Sequence, residues 1–261
     1  IPSEISLPQS HIQLMEQCWD PVPSRRIKFP EIVSSLETIM VEVAITSSDS
    51  ARKFWMDHFT HPLQEQIKWE ELARVIGDLH ALPLVAVMST MEGLVLGWDH
   101  HSHHHNNAAV ASVGTEEKMV SMERFNQLCV WFGDWFDVKK AHLFHEMLTI
   151  AGSAWFHNDI SLTESVGRLT GRAPGTYLIR MSFTDKRAPM TLSIITSEGL
   201  FEHKRLYCLT FDQYEKERYA IQVGNTTQFK KYCSLQTLLD DLKSSSVITF
   251  PCPPNRITLA Y

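Results

Sequence analysis

The stretch GTYLIRMS (175–182) limits the possible folds of this chain more than any other. In a strand, alternate side chains share a face, so Thr176, Leu178, Arg180 and Ser182 point one way, and Tyr177, Ile179 and Met181 the other. Large apolar groups fall on both faces, which predicts a central strand covered on both sides. Arg180 then emerges near the end of a buried strand, where an unpartnered guanidinium is very costly. One solution is an ion pair with a distant Asp or Glu. The nearby residues suggest another. Ser182 shares the face of Arg180, Thr184 follows in the loop, Thr191 begins the next strand-like run, and His203 and Arg205 sit on the run after it. Hydroxyls and further cations do not neutralise an internal positive charge. A phosphate, in contrast, accepts a bidentate pair from arginine together with hydroxyl and loop N–H donors. The pattern predicts a phosphate pocket.

The segment around this stretch reads as α+β. SLTE (161–164) has capping-box spacing and opens a short helix that stops near Gly171. Strand-like runs follow: GTYLIRMS, MTLSIIT, LFEHKRLY and RYAIQV, separated by turn-rich segments. SLQTLLDDL (234–242) is a second helix, capped by Ser234, with Leu235, Leu238, Leu239 and Leu242 inward. The expectation is a central antiparallel sheet flanked by two helices, over 151–261.

Upstream, the apolar period is helical. Residues 1–45 contain HIQLMEQCW and FPEIVSSLETIMVEV, the latter with Ile32, Leu36, Ile39 and Met40 on one predicted face. Pro21 and Pro23 separate the two, and TSSDS (46–50) suggests a boundary. Residues 46–150 read as a helical connector: Phe54, Trp55 and Phe59 fall within two turns, and Trp69, Leu72, Ile76 and Leu79 form one stripe. DHHSHHHNN (99–107) has five histidines in six positions. Such a low-complexity run is read as a loop with tag-like metal affinity rather than a built metal site, which needs ligands held by outer partners.

With a formal net charge of -6, the chain has no overall basic field for nucleic acid or anionic membrane. Five scattered cysteines without C-x-x-C spacing suit a reducing compartment and argue against zinc. The most apolar stretch, 82–98, is too short to span a bilayer and contains Glu92. No signal peptide is apparent, and the chain does not begin with methionine, so it is read as a cytosolic piece of something longer.

WFHNDIS (155–161), GTYLIRMS, TLSII (191–195), HKRL (203–206) and SLQTLLDDL together resemble an SH2 domain in order and spacing. The resemblance implies that Arg180 grips the phosphate of a phosphotyrosine. It also implies that Ser182 and Thr184 complete the cradle, that Thr191 and Arg205 line the pocket, and that His203 supports it. Two positions depart from the family's pattern. Leu162 stands where many SH2 domains carry a second phosphate-facing arginine, and Asn158 stands where glycine is usual.

LMEQCWDPVPSRRIKF (14–29) resembles the last motif of tyrosine-kinase-like C-lobes, matching at Trp19, Pro23, Arg26 and Phe29, with Ile27 in place of proline. No Gly-rich loop, V-A-I-K lysine, H-R-D or D-F-G occurs, so the chain alone has no phosphoryl-transfer machinery. The combination resembles the C-terminal part of non-metazoan SH2-bearing, dual-specificity kinases. It implies a phosphotyrosine-peptide partner and an upstream kinase domain, with ATP and magnesium expected only there and no cofactor in this chain. The helical stretch leading into W-F-H is also similar to the linker-SH2 units of STAT and Cbl, which leaves an adaptor or transcription-related protein without kinase activity as the alternative.

Overall fold

A computed structural model describes residues 8–59, 63–96, 117–182, 187–209, 217–224 and 227–253, and among the described residues the helical period of the first half becomes seven α-helices. They are α1 (Gln9–Cys18), α2 (Phe29–Ala44), α3 (Asp49–Phe59), α4 (Trp69–His80), α5 (Leu84–Leu96), α6 (Met122–Phe132) and α7 (Ala141–Gly152). Strands β1 (Gln66–Lys68) and β2 (Met119–Ser121) lead directly into α4 and α6. They pair antiparallel with Ile67 opposite Val120, both fully buried, and tie two helix–strand–helix units together. Trp55, Trp69, Phe125, Phe132, Trp135 and Phe144 fill the space between the helices. The histidine-rich run lies outside the described residues.

One buried cation closes this half. Arg124 on α6 is 3% exposed, and its Nε donates to the carbonyl of Val95 at 2.8 Å and its Nη2 to that of Leu94 at 2.6 Å. These carbonyls belong to the last turn of α5, where helical partners run out and the helix dipole favours a positive charge.

The expected single apolar face of α2 is corrected by the structure. Ile39, Val41 and, just past the helix, Ile45 turn into the core, whereas Leu36 and Met40 are exposed. Phe29, Val33, Leu36, Met40 and Val43 form an alternating i+4, i+3 stripe that faces outward, with Phe29 76% exposed. Beside its C-terminal end, a groove of about 890 Å³ runs between α2 and α6, lined in part by Met40, Val43, Val130 and Trp131.

The second half is a six-stranded sheet with helices on its faces. Helix α8 (Leu162–Leu169) precedes β3 (Thr176–Met181), β4 (Met190–Ile195), β5 (Phe201–Cys208), β6 (Tyr219–Gln222) and β7 (Phe229–Tyr232); α9 (Leu235–Ser244) and β8 (Phe250–Pro251) follow. The spatial order is β7-β6-β5-β4-β3-β8, antiparallel except that β8 runs parallel to β3. Gly175 makes the entry to β3 possible. Its φ is +81°, and a Cβ there would lie 2.6 Å from Thr249 Oγ1, where the loop before β8 crosses.

The two faces of β3 enter different cores. Leu178 packs with Ile160, Leu169, Ile195 and Cys252 on the α8 side. Tyr177, Ile179 and Met181 join the leucines of α9 in one core that continues without a break into the helical half. The junction has two further locks. Glu146 on α7 forms a partly buried ion pair with Arg218, just ahead of β6. Asn158 takes a left-handed φ of +55°, tolerable for asparagine, and its side chain fills the space left by Gly93 on α5, where a Cβ would lie within 2.6 Å of three Asn158 atoms.

This packing yields a compensation test. Alanine in a helix is ordinarily about 1 kcal/mol better than glycine, but overpacking costs roughly 1–3 kcal/mol. Gly93→Ala alone is expected to destabilise the chain in denaturant unfolding, and the same change in an Asn158→Gly background to be neutral or stabilising. Additive effects of the two substitutions would show that Gly93 and Asn158 do not meet.

Candidate phosphate site

Strand register assembles the site. Arg180 on β3 lies opposite Thr191 on β4, which lies opposite Arg205 on β5. The adjacent row is Leu178, Ser193 and His203. Cross-strand partners share a face, so both rows lie on the side of the sheet packed by α8. Thr191 and Ser193 are buried, His203 is half-buried and Arg205 is exposed. Ser182, also buried, follows directly and donates its backbone N–H to the Pro189 carbonyl at 2.7 Å. Five of the six residues read from the sequence therefore belong to one region of the fold. The sixth, Thr184, lies outside the described residues.

Arg180 is half-buried and poorly satisfied. Its Nη1 makes two long contacts, to the carbonyls of Met181 at 3.3 Å and Ile160 at 3.4 Å. Its Nε is buried without a hydrogen-bond partner. Among the described residues no carboxylate comes within ion-pair distance of it. Burial pulls its pKa down, and the Asp159 carboxylate opposes that pull from farther away. A guanidinium in this position has unused, geometrically fixed donors, which suit an acceptor with several oxygens.

The surrounding groups are arranged to leave Arg180 the main charge. His203 Nδ1 and Ser193 Oγ are hydrogen-bonded at 2.9 Å. Burial first, and the Arg180 charge second, lower the pKa of His203, with Glu202 opposing. The neutral imidazole thus adds shape and a hydrogen bond rather than a second charge. On the other side, Ser161 caps α8 by accepting from the Glu164 N–H at 3.1 Å, while Glu164 accepts from the Ser161 N–H at 2.7 Å. Leu162, the first residue of that helix, is 51% exposed and supplies no charge.

The WFHNDIS pattern assigns no role to His157, which is a pin between elements. Its Nδ1 accepts from Arg168 Nη1 on α8 at 2.7 Å, and its Nε2 donates to the Cys252 carbonyl at 2.7 Å. The pairing fixes the neutral tautomer, and burial, the first cause, lowers its pKa. The strand pattern marks the face of Ser193 but not its partner, His203. Among the described residues, no group of three or more His, Cys, Asp or Glu side chains is placed to hold a metal ion.

No protein-family model matches the chain. The chain is similar to dual specificity protein kinases of Dictyostelium discoideum. Dual specificity protein kinase shkE is 27% identical over 272 residues, covering 98% of this chain and 35% of that protein. Dual specificity protein kinase shkD is 29% identical over 245 residues, covering 92% of this chain and 30% of that protein. Dual specificity protein kinase shkA is 27% identical over 264 residues, covering 97% of this chain and 47% of that protein. The chain spans between about a third and a half of the length of these relatives. The similarity covers both halves of the fold and relates the whole chain to this kind of kinase.

The histidines give a signed pH expectation. Burial is the first cause of the lowered pKa of His80, His157 and His203. The unfolded chain therefore binds protons at higher pH than the folded one. Their contribution is fully present above the unfolded value of about 6.5 and is lost as pH falls below it toward the lowered folded values. The melting temperature is expected to drop between about pH 7 and pH 5, and to drop less in His157→Gln. An unchanged slope in that variant would contradict the role given to His157.

Proposed function

We propose that residues 151–261 form an SH2-type module that binds tyrosine-phosphorylated peptides, and that it regulates or targets a protein kinase domain upstream in the same cytosolic polypeptide. The observation that carries the reading is Arg180: a half-buried guanidinium with an unpartnered Nε, in register with Thr191 and Arg205 and flanked by Ser182 and His203. The sequence resemblance adds Thr184 to the same cradle. In this reading ATP and magnesium act only in the kinase domain, and the chain has no catalytic part of its own.

The proposed organisation is the end of a kinase C-lobe at 1–45, a helical connector at 46–150, and the peptide-binding module. The outward stripe of α2 supports the first part, since five large apolar residues on one helix face are unusual on a free surface. A kinase lobe packed against them accounts for their exposure here. Similarity over 98% of the chain to a dual specificity kinase supports this arrangement above an adaptor of the STAT or Cbl kind.

The test is calorimetric titration of a phosphotyrosine peptide against the full chain, because the shared core argues against isolating the second half. Arg180→Ala is expected to lose roughly 2–5 kcal/mol of binding, tens- to thousands-fold. Arg180→Lys keeps the charge but loses the planar fork, and is also expected to bind poorly. Unchanged affinity in Arg180→Ala would end the assignment. Leu162→Arg places a cation at the start of α8, and a charge-assisted hydrogen bond is worth about 1.5–3 kcal/mol, opposed there by the helix dipole. A gain of about tenfold is expected at low salt, and no gain would mean that Leu162 faces away from the ligand.

A further inference from the structure

The elements on the two sides of Arg180 carry opposite charge. The sheet contributes Arg180 and Arg205, with neutral His203 between hydroxyls. The opposite side is made by residues 158–164, and backbone pairing sets its course. Residues 155–158 run beside β3: the Ile179 N–H donates to the Trp155 carbonyl at 2.7 Å, the His157 N–H to the Ile179 carbonyl at 2.8 Å, and the Met181 N–H to the Asn158 carbonyl at 2.7 Å. The pairing stops at Asn158, whose left-handed backbone turns the chain at the end of β3. The next residue is Asp159. The one after it, Ile160, presents its carbonyl to Arg180 Nη1 at 3.4 Å. Beyond these lie uncharged Leu162 and Glu164, which is folded back on the Ser161 N–H.

We propose that Asp159 is the resident counter-ion of Arg180 and sets the selectivity of the pocket, a role that rests on Arg180 being the phosphate ligand. Without ligand, the carboxylate offsets the half-buried guanidinium, whose donors are otherwise underused. When a phosphate enters, the same carboxylate opposes it, and it opposes a dianion more than a monoanion. The pocket therefore trades affinity for a stable empty state. Asp159 supports the site without having to touch the phosphate, so it is a positioning and selectivity residue. The field of Asp159 at Arg180, set against the loss of solvation by burial, agrees with this arrangement.

The experiment uses the full chain with phenyl phosphate as probe, together with thermal unfolding of Asp159→Asn, Arg180→Met and the double variant. Asp159→Asn is expected to bind phenyl phosphate roughly three- to tenfold more tightly at low salt, with the gain shrinking at high salt. In unfolding, Asp159→Asn is expected to lower the melting temperature of the native chain but not that of Arg180→Met, the signature of a coupled pair. Weaker or unchanged binding in Asp159→Asn overturns the selectivity role. Additive melting temperatures overturn the counter-ion role. If no version binds phenyl phosphate but the coupling persists, the phosphate reading and the selectivity role fall together, and the charge coupling of Asp159 to Arg180 alone stands.

Discussion

A permanent positive charge near the end of a strand buried on both faces is the constraint around which the second half of this molecule is organised. Arg180 cannot lose its proton at any ordinary pH, and it cannot leave, because β3 is held by β4 on one side and by β8 and residues 155–158 on the other. Leu178 anchors the same face under α8, while Tyr177 and Ile179 anchor the opposite one. A surface arginine would swing into water. Among the described residues, this one is met by carbonyls at long range and a distant carboxylate. The neighbouring rows adapt to that fact. Buried Thr191 places a hydroxyl across from it, buried Ser193 places another in the adjacent row, and His203 stays neutral nearby.

The position of that charge is fixed relative to the helical half by the continuous core. The second face of the sheet does not close on α9 alone; its apolar residues share one cluster with α3, α4, α5, α6 and α7. Arg124 ties α6 to the end of α5, Gly93 on α5 receives Asn158, and Asn158 hands the chain to Ile160, whose carbonyl faces Arg180. Glu146 and Arg218 close the other side of the junction. Interiors packed this closely deform little, so a shift at one end has few ways to dissipate inside. The junction behaves as part of the core rather than as a linker.

The sequence made the element types outside the β1–β2 pair, the α+β order and the double burial of β3 legible, because those follow from local periodicity. Three things were not. The cross-strand rows need register, and period-two alternation names a face without naming a partner, so Ser193 and His157 stayed unassigned. Strand β7 reads FKKY, two lysines between aromatics, and is an exposed edge whose polarity hides it from an apolar pattern; β8 is two residues long and contains Pro251. The face of α2 was misjudged for a different reason. Helical spacing finds both Ile39 and Leu36, but the helix has two apolar sides, and only packing decides which one is inward.

The same molecule thus contains two incompletely satisfied features of opposite chemistry. The stripe on α2 leaves apolar area in water, a cost proportional to surface and removed by any well-fitted apolar cover. Arg180 leaves directed donors unused, a cost that an apolar cover would increase and only an anion with several acceptors relieves. Neither can satisfy the other, so they call for two different occupants. The stripe specifies extent and shape; the arginine specifies charge and geometry. Because α2 and β3 enter one core through Val41 and Ile179, any occupant of the stripe is held in a defined orientation to whatever binds the arginine. That fixed relation sets how an apolar cover on α2 and an anion at Arg180 would sit with respect to each other.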